Sequence, residues 1–243
     1  MEKGIYRWPF STSYRWPFGT PLRLNRDMGF GKLREKGFGG LGLIIDYSFD
    51  GLESKPFQQL HCIGAATAIG LGVLPSELEC LHLNLNQTIA TRVLPAGLTK
   101  LSFGDSCNQA IATGVLPTGL KRLSFGDSFN QAIGPGVLPP TLKELHFGND
   151  FNQAIEPGVL PIGLMALYLG DNFDQAIGLG VLPPTLEKLR FGEHFNQSIE
   201  PGVLPIELVE LYFGNAFNQA IGSGVLPPTL KKLRFGEHCP WSH

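Results

Sequence analysis

Apolar residues fall into fixed columns along most of this chain. One column runs Leu78, Leu98, Leu120, Leu142, Leu164, Leu186, Leu208 and Leu230. Three residues on come Leu81, Leu101, Leu123, Leu145, Leu167, Leu189, Leu211 and Leu233. Two further on come Leu83, Phe103, Phe125, Phe147, Leu169, Phe191, Phe213 and Phe235. The apolar–x–apolar step between the second and third columns has the period of a β-strand, so the residue between them points the other way. A Val-Leu-Pro triplet punctuates each copy, beginning at Val73, Val93, Val115, Val137, Val159, Val181, Val203 and Val225; the first spacing is 20 residues and the other six are 22. Repetition at such a period predicts a solenoid, because one short unit cannot offset its own ordering entropy and must stack on its neighbours.

Further columns complete the unit. A glycine follows the third column from Gly104 to Gly236, where a sharp turn out of the strand is expected. F-N-Q-x-I then supplies an aromatic column (Phe129, Phe151, Phe173, Phe195, Phe217) and an isoleucine column from Ile89 to Ile221. Pro-Gly or Gly-x-Gly before the valine closes the coil. The spacing L-x-x-L-x-[LF] is that of leucine-rich repeats. The recurrence of F-N-Q-x-I and L-P at a 22-residue period, from about Leu74 to Phe235, resembles the FNIP repeat family. The resemblance implies a leucine-rich-repeat-like array without catalytic residues that serves protein contacts. The expected fold is therefore mainly β: a right-handed parallel solenoid of 22-residue coils with one short strand each. Three parts are expected: an arm over 1–40, a degenerate N-terminal cap coil over 41–72, and the repeat solenoid with a short tail over 73–243. In the cap, Phe57, Leu60, Cys62 and Ile69 fit the inward columns once one residue is deleted, and Leu43 to Phe49 reads as one more edge strand.

Charge changes the picture only at the N-terminus. The chain carries 19 basic and 21 acidic residues, net −2, which argues against a general nucleic-acid binder. Residues 1–40, however, hold eight Lys or Arg against three acids, and repeat Tyr-Arg-Trp-Pro-Phe at Tyr6 and Tyr14. A flexible tail, a transit peptide and an arm anchored in a partner by Trp8, Phe10, Trp16 and Phe18 all fit that composition. No apolar run is long enough to span a membrane. Gly37-Phe38-Gly39-Gly40-Leu41-Gly42 matches G-x-G-x-x-G, but a charged stretch precedes it and a strand-like one follows, which is the wrong setting for a dinucleotide. Four cysteines without a Cys/His cluster read as packing thiols at Cys62, Cys107 and Cys239, with Cys80 at the surface. That usage and the absence of a secretory signal point to a reducing, intracellular compartment, the cytoplasm or an organelle.

The candidate chemistry sits in outward columns. An Asn column (Asn86, Asn108, Asn130, Asn152, Asn196, Asn218, with Asp174 substituting) is expected to bridge neighbouring coils through its amides. The acidic column Asp105, Asp127, Asp171, Glu193 and Glu237 reads as a solvated turn, since calcium needs six to eight converging oxygens. His82, His146 and His194 lie two or more coils apart, too far to cooperate. No nucleophile–base pair converges, so no enzyme, cofactor, metal or catalytic residue is assigned. What remains is the residue between the second and third columns. In the C-terminal half it is His146, Tyr168, Arg190, Tyr212 and Arg234, flanked by Lys188 and Lys232, and Tyr and Arg dominate protein interfaces. The function expected is a non-catalytic scaffold or adaptor, a subunit of a larger assembly, docking protein partners through this strand face and the arm. End-to-end assembly is a further option, and a small-ligand binder or metal-dependent adhesion module is the competing class.

Overall fold

The computed structural model describes residues 41–44, 59–65, 71, 74, 76–84 and 86–237. It contains one sheet of ten strands, stacked in chain order, and no helix among the described residues. The strands are β1 (Leu41–Ile44), β2 (Gln59–Ala65), β3 (Cys80–Asn84), β4 (Lys100–Phe103), β5 (Arg122–Ser124) and β6 (Glu144–His146). They continue as β7 (Ala166–Tyr168), β8 (Lys188–Arg190), β9 (Glu210–Tyr212) and β10 (Lys232–Arg234). From β2 onward every neighbour is parallel, and Leu60, Leu81, Leu101, Leu123, Leu145, Leu167, Leu189, Leu211 and Leu233 stand in one register row. The second column is therefore a single line of leucines, as a parallel solenoid requires.

The first strand departs from that pattern. β1 covers Leu41–Ile44, which includes the start of the expected edge strand at Leu43 while 45–49 lie outside the described residues, and it runs antiparallel to β2 with an irregularity at Leu41/Gly42. An antiparallel strand needs no coil of its own to reach the edge, only a return of the chain. Residues 1–40, and with them Trp8, Phe10, Trp16 and Phe18, lie outside the described residues.

Inside, the columns become stacks. Leu120, Leu142, Leu164, Leu186 and Leu208 are fully buried, as are Leu123, Leu145, Leu167, Leu189 and Leu211. Cys107 takes the aromatic column's place in its coil and is buried there. The phenylalanines lie nearly parallel, coil upon coil. Those beside the strands, such as Phe125–Phe147 and Phe191–Phe213, are 5.4 and 5.3 Å apart. Those deeper in, Phe129–Phe151–Phe173–Phe195–Phe217, are 6.0–6.2 Å apart. Strands themselves stack at about 4.8 Å. The rings of successive coils are therefore offset in their stacks rather than directly superposed.

Two glycine columns do different work. Gly114, Gly136, Gly158, Gly180, Gly202 and Gly224, just before each valine, have φ of 77–84° and close the coil. In an earlier coil Arg92 holds that place at φ 65°, a costly conformation for a residue with a Cβ. The glycines after the strands open the expected turns, as where the Phe129 N–H donates to the Gly126 carbonyl at 3.1 Å, but their φ is ordinary, so the turn itself does not require glycine. They are needed because the coils approach too closely there. A Cβ on Gly148 or Gly170 would lie closer than 3.0 Å to the backbone of the glycine one coil earlier.

Arg92→Gly should raise thermal stability by about 1 kcal/mol, read as a higher midpoint by circular dichroism. Gly148→Ala should lower it by about 1–3 kcal/mol, since the added methyl forces two backbones apart. An unchanged midpoint for Gly148→Ala would remove the close-approach account.

Candidate functional site

Alternation along each short strand buries the central leucine and turns its two neighbours outward, which creates two parallel columns on the sheet face. One contains His82, Ser102, Ser124, His146, Tyr168, Arg190, Tyr212 and Arg234 in continuous register. The other contains Cys80, Lys100, Arg122, Glu144, Ala166, Lys188, Glu210 and Lys232. The candidate residues His146, Tyr168, Arg190, Tyr212, Arg234, Lys188 and Lys232 thus lie side by side on one surface.

Most of them already have company. The His146 ring stacks on Tyr168 with centroids 4.1 Å apart. His146 Nε2 lies 2.7 Å from Glu144 Oε1, and Arg122 Nε reaches the other carboxylate oxygen at 3.0 Å. Three coils on, the Tyr212 hydroxyl donates to Glu210 Oε2 at 3.0 Å. Lys188 and Lys232 flank the same carboxylate at 3.5 and 3.8 Å. Lys232 Nζ and the Arg234 guanidinium also lie 5.1 and 5.8 Å from the centre of the Tyr212 ring. The Tyr212 hydrogen bond holds the Glu210 carboxyl below its ordinary range; burial opposes this, and Lys188 and Lys232 reinforce it. Such exposed pairs orient side chains more than they stabilise the fold.

Arg190 is the exception. Of the sheet-face arginines, Arg122 pairs with Glu144 and Arg234 lies over Tyr212. Arg190, exposed between Tyr168 and Tyr212, has no ion pair, side-chain hydrogen bond or ring contact among the described residues.

The Asn column is structural, and its chemistry is narrower than an amide bridge. In each coil the side-chain oxygen alone makes the link to the next. Asn130 Oδ1 accepts from the Asn152 N–H at 3.0 Å and from Gln153 Nε2 at 2.9 Å. Asn152 does the same for Asp174 and Gln175. Because only an oxygen is used, Asp174 substitutes without loss, accepting from Asn196 and Gln197 at 2.8 and 2.9 Å. The Gln column belongs to this ladder.

Among the described residues, no three His, Cys, Asp or Glu side chains converge on a point that would hold a metal ion. The thiols of Cys80 and Cys107 are free, and burial pushes both upward from the ordinary thiol value. One feature escaped the sequence reading: an open trough of about 650 Å³ floored by Ser102 and Ser124, with Lys100 and Arg122 on one side and Asp105 and Asp127 on the other. Its signal was two consecutive serines in the outward column. The sequence alternation of Pro140, Pro184 and Pro228 with Ile162 and Ile206 forms a corner ridge, on which Ile162 and Ile206 are 74% and 63% exposed.

The family model described as FNIP Repeat matches residues 85–125, 107–150, 151–194 and 195–238. The chain belongs to the FNIP repeat family. A solved structure, described as the crystal structure of CroV588, a novel circular LRR protein structure, is 48% identical over 70% of this chain, with a TM-score of 0.69. The match covers 25% of that chain, so the FNIP repeat array here corresponds to about a quarter of its length. No curated protein matches. The matched FNIP repeats take in the leucine, phenylalanine, asparagine and glycine columns from β4 to β10.

Glu210 titrates below its unfolded value, so its contribution to stability is full above the ordinary carboxylate range and is lost as pH falls through the folded value. Tyr212→Phe should move the Glu210 carboxyl upward, as read by carboxyl-carbon NMR titration. A Glu210 titration that does not move would show that the hydroxyl is not its main partner.

Proposed function

We propose that this FNIP repeat protein is a non-catalytic scaffold or adaptor that docks protein partners through its strand face, as a subunit of a larger assembly. The observation that carries this reading is the row His146–Tyr168–Arg190–Tyr212–Arg234, one residue per coil in unbroken register on the sheet face. Tyrosine and arginine supply broad, rigid contact area and directed charge, which is what interface anchors require. The core beneath leaves that column free to vary, so partner choice can be encoded without disturbing the fold. In this reading Lys188 and Lys232 flank the contact and hold Glu210 in place, while Trp8, Phe10, Trp16 and Phe18 of the arm form a second contact. Free thiols at Cys80 and Cys107 suit work in a reducing intracellular compartment.

Tagged protein isolated from its native cell should bring down a defined set of proteins. The variant with Tyr168, Arg190, Tyr212 and Arg234 all changed to Ala should lose them while keeping its circular dichroism spectrum. Full retention of those proteins by a folded variant would rule out the strand face as the docking surface.

A further inference from the structure

The docking face has a chemistry that selects its partner. On β8–β10 the two outward columns carry Lys188, Arg190, Lys232 and Arg234 against a single carboxylate, Glu210. That carboxylate is already taken by Lys188, Lys232 and the Tyr212 hydroxyl. The acids Glu187, Glu193 and Glu237 lie in the columns to either side, and none of them forms a salt bridge with Arg190. The surface therefore has an excess of positive charge, with one guanidinium unpartnered and a second resting on a tyrosine ring.

The spacing of those two guanidinium-bearing residues is fixed by the coils. Arg190 and Arg234 are two strands apart with Tyr212 between them, so their backbones are separated by about 9.6 Å. A polyproline II segment rises about 3.1 Å per residue with three residues per turn, which places side chains i and i+3 on one face about 9.3 Å apart. A β-strand returns to the same face at about 6.6 or 13 Å. An α-helix falls short at i+4, about 6 Å, and overshoots at i+7, about 10.5 Å. Of the regular conformations, polyproline II is the one that matches.

We propose that Arg190 and Arg234 anchor an acidic segment of a partner protein in polyproline II conformation, with carboxylates three residues apart. The segment lies along the solenoid axis across β8–β10. One carboxylate takes the Arg190 fork, and the next draws the Arg234 guanidinium off the Tyr212 ring into a charge-assisted pair. Tyr168 and Tyr212 wall the Arg190 position on either side. The proposal rests on the docking reading above and specifies the partner's chemistry.

The test uses the full chain and a labelled peptide of repeated Pro-Pro-Glu triplets, followed by fluorescence anisotropy. The peptide should bind, and binding should weaken as salt rises. Arg190→Ala and Arg234→Ala should each weaken it about tenfold. A Pro-Pro-Gln peptide of equal length, and one alternating Pro and Glu, should bind poorly. Equal binding of the Gln peptide, or binding indifferent to both arginine variants, would overturn the acidic segment. Equal binding of the alternating peptide would overturn the three-residue spacing, and a preference for a phosphopeptide or for single-stranded RNA would overturn the carboxylate. If no peptide binds but the Arg190→Ala/Arg234→Ala protein loses its co-purifying proteins, the docking face stands and the acidic segment falls. If those proteins are retained by this variant and by the one with Tyr168 and Tyr212 also changed to Ala, both fall.

Discussion

Hydrogen bonding between parallel strands sets one distance, about 4.8 Å, and the rest of the molecule is arranged around that repeat. Every column of the sequence is a consequence. At the central leucines the repeat stacks fully buried side chains. At Gly126, Gly148, Gly170, Gly192 and Gly214 it brings backbones so close that no side chain fits. Deeper in, the aromatic rings follow the same repeat in offset stacks, with centroids 6.0–6.2 Å apart. Two files of stacked phenylalanine thus lie beneath the strip of strands.

The same repeat divides the chain into positions that must be constant and positions that need not be. Core, corner and glycine positions touch their own kind one coil away, so any change is felt twice. Outward positions touch neighbours of free choice. There the chain places complementary groups within and across coils, as in Arg122–Glu144–His146 and Lys188–Glu210–Lys232. These pairs do little for stability. Their effect is to fix the directions in which Tyr168, Tyr212 and the arginines point.

Much of this was legible in the sequence, because a periodic chain reports its own register. Leu145, Leu167 and Leu189 align in the structure as the 22-residue spacing requires. Cys107 lies in the core for the same reason. What could not be read depended on distances across the coil. The glycines after the strands looked like turn residues, and only the approach of Gly126 to Gly104 shows why they lack side chains. The Asn column looked like a two-way amide bridge, whereas Asp174 works equally well because one oxygen is enough. The antiparallel sense of β1 has no periodic signature, and Glu210's dependence on Tyr212 rests on where a hydroxyl points. The face itself was visible as a column of residues; which members are occupied and which is idle was not.

The asparagine ladder also has a direction. Each side-chain oxygen serves the coil that follows it, from Asn86 receiving Asn108 to Asn196 receiving Asn218, and never the coil before. The array is therefore vectorial, with a donating flank and an accepting flank that are chemically distinct. Two such arrays cannot extend the ladder across a dyad; they can do so only by translation, head to tail.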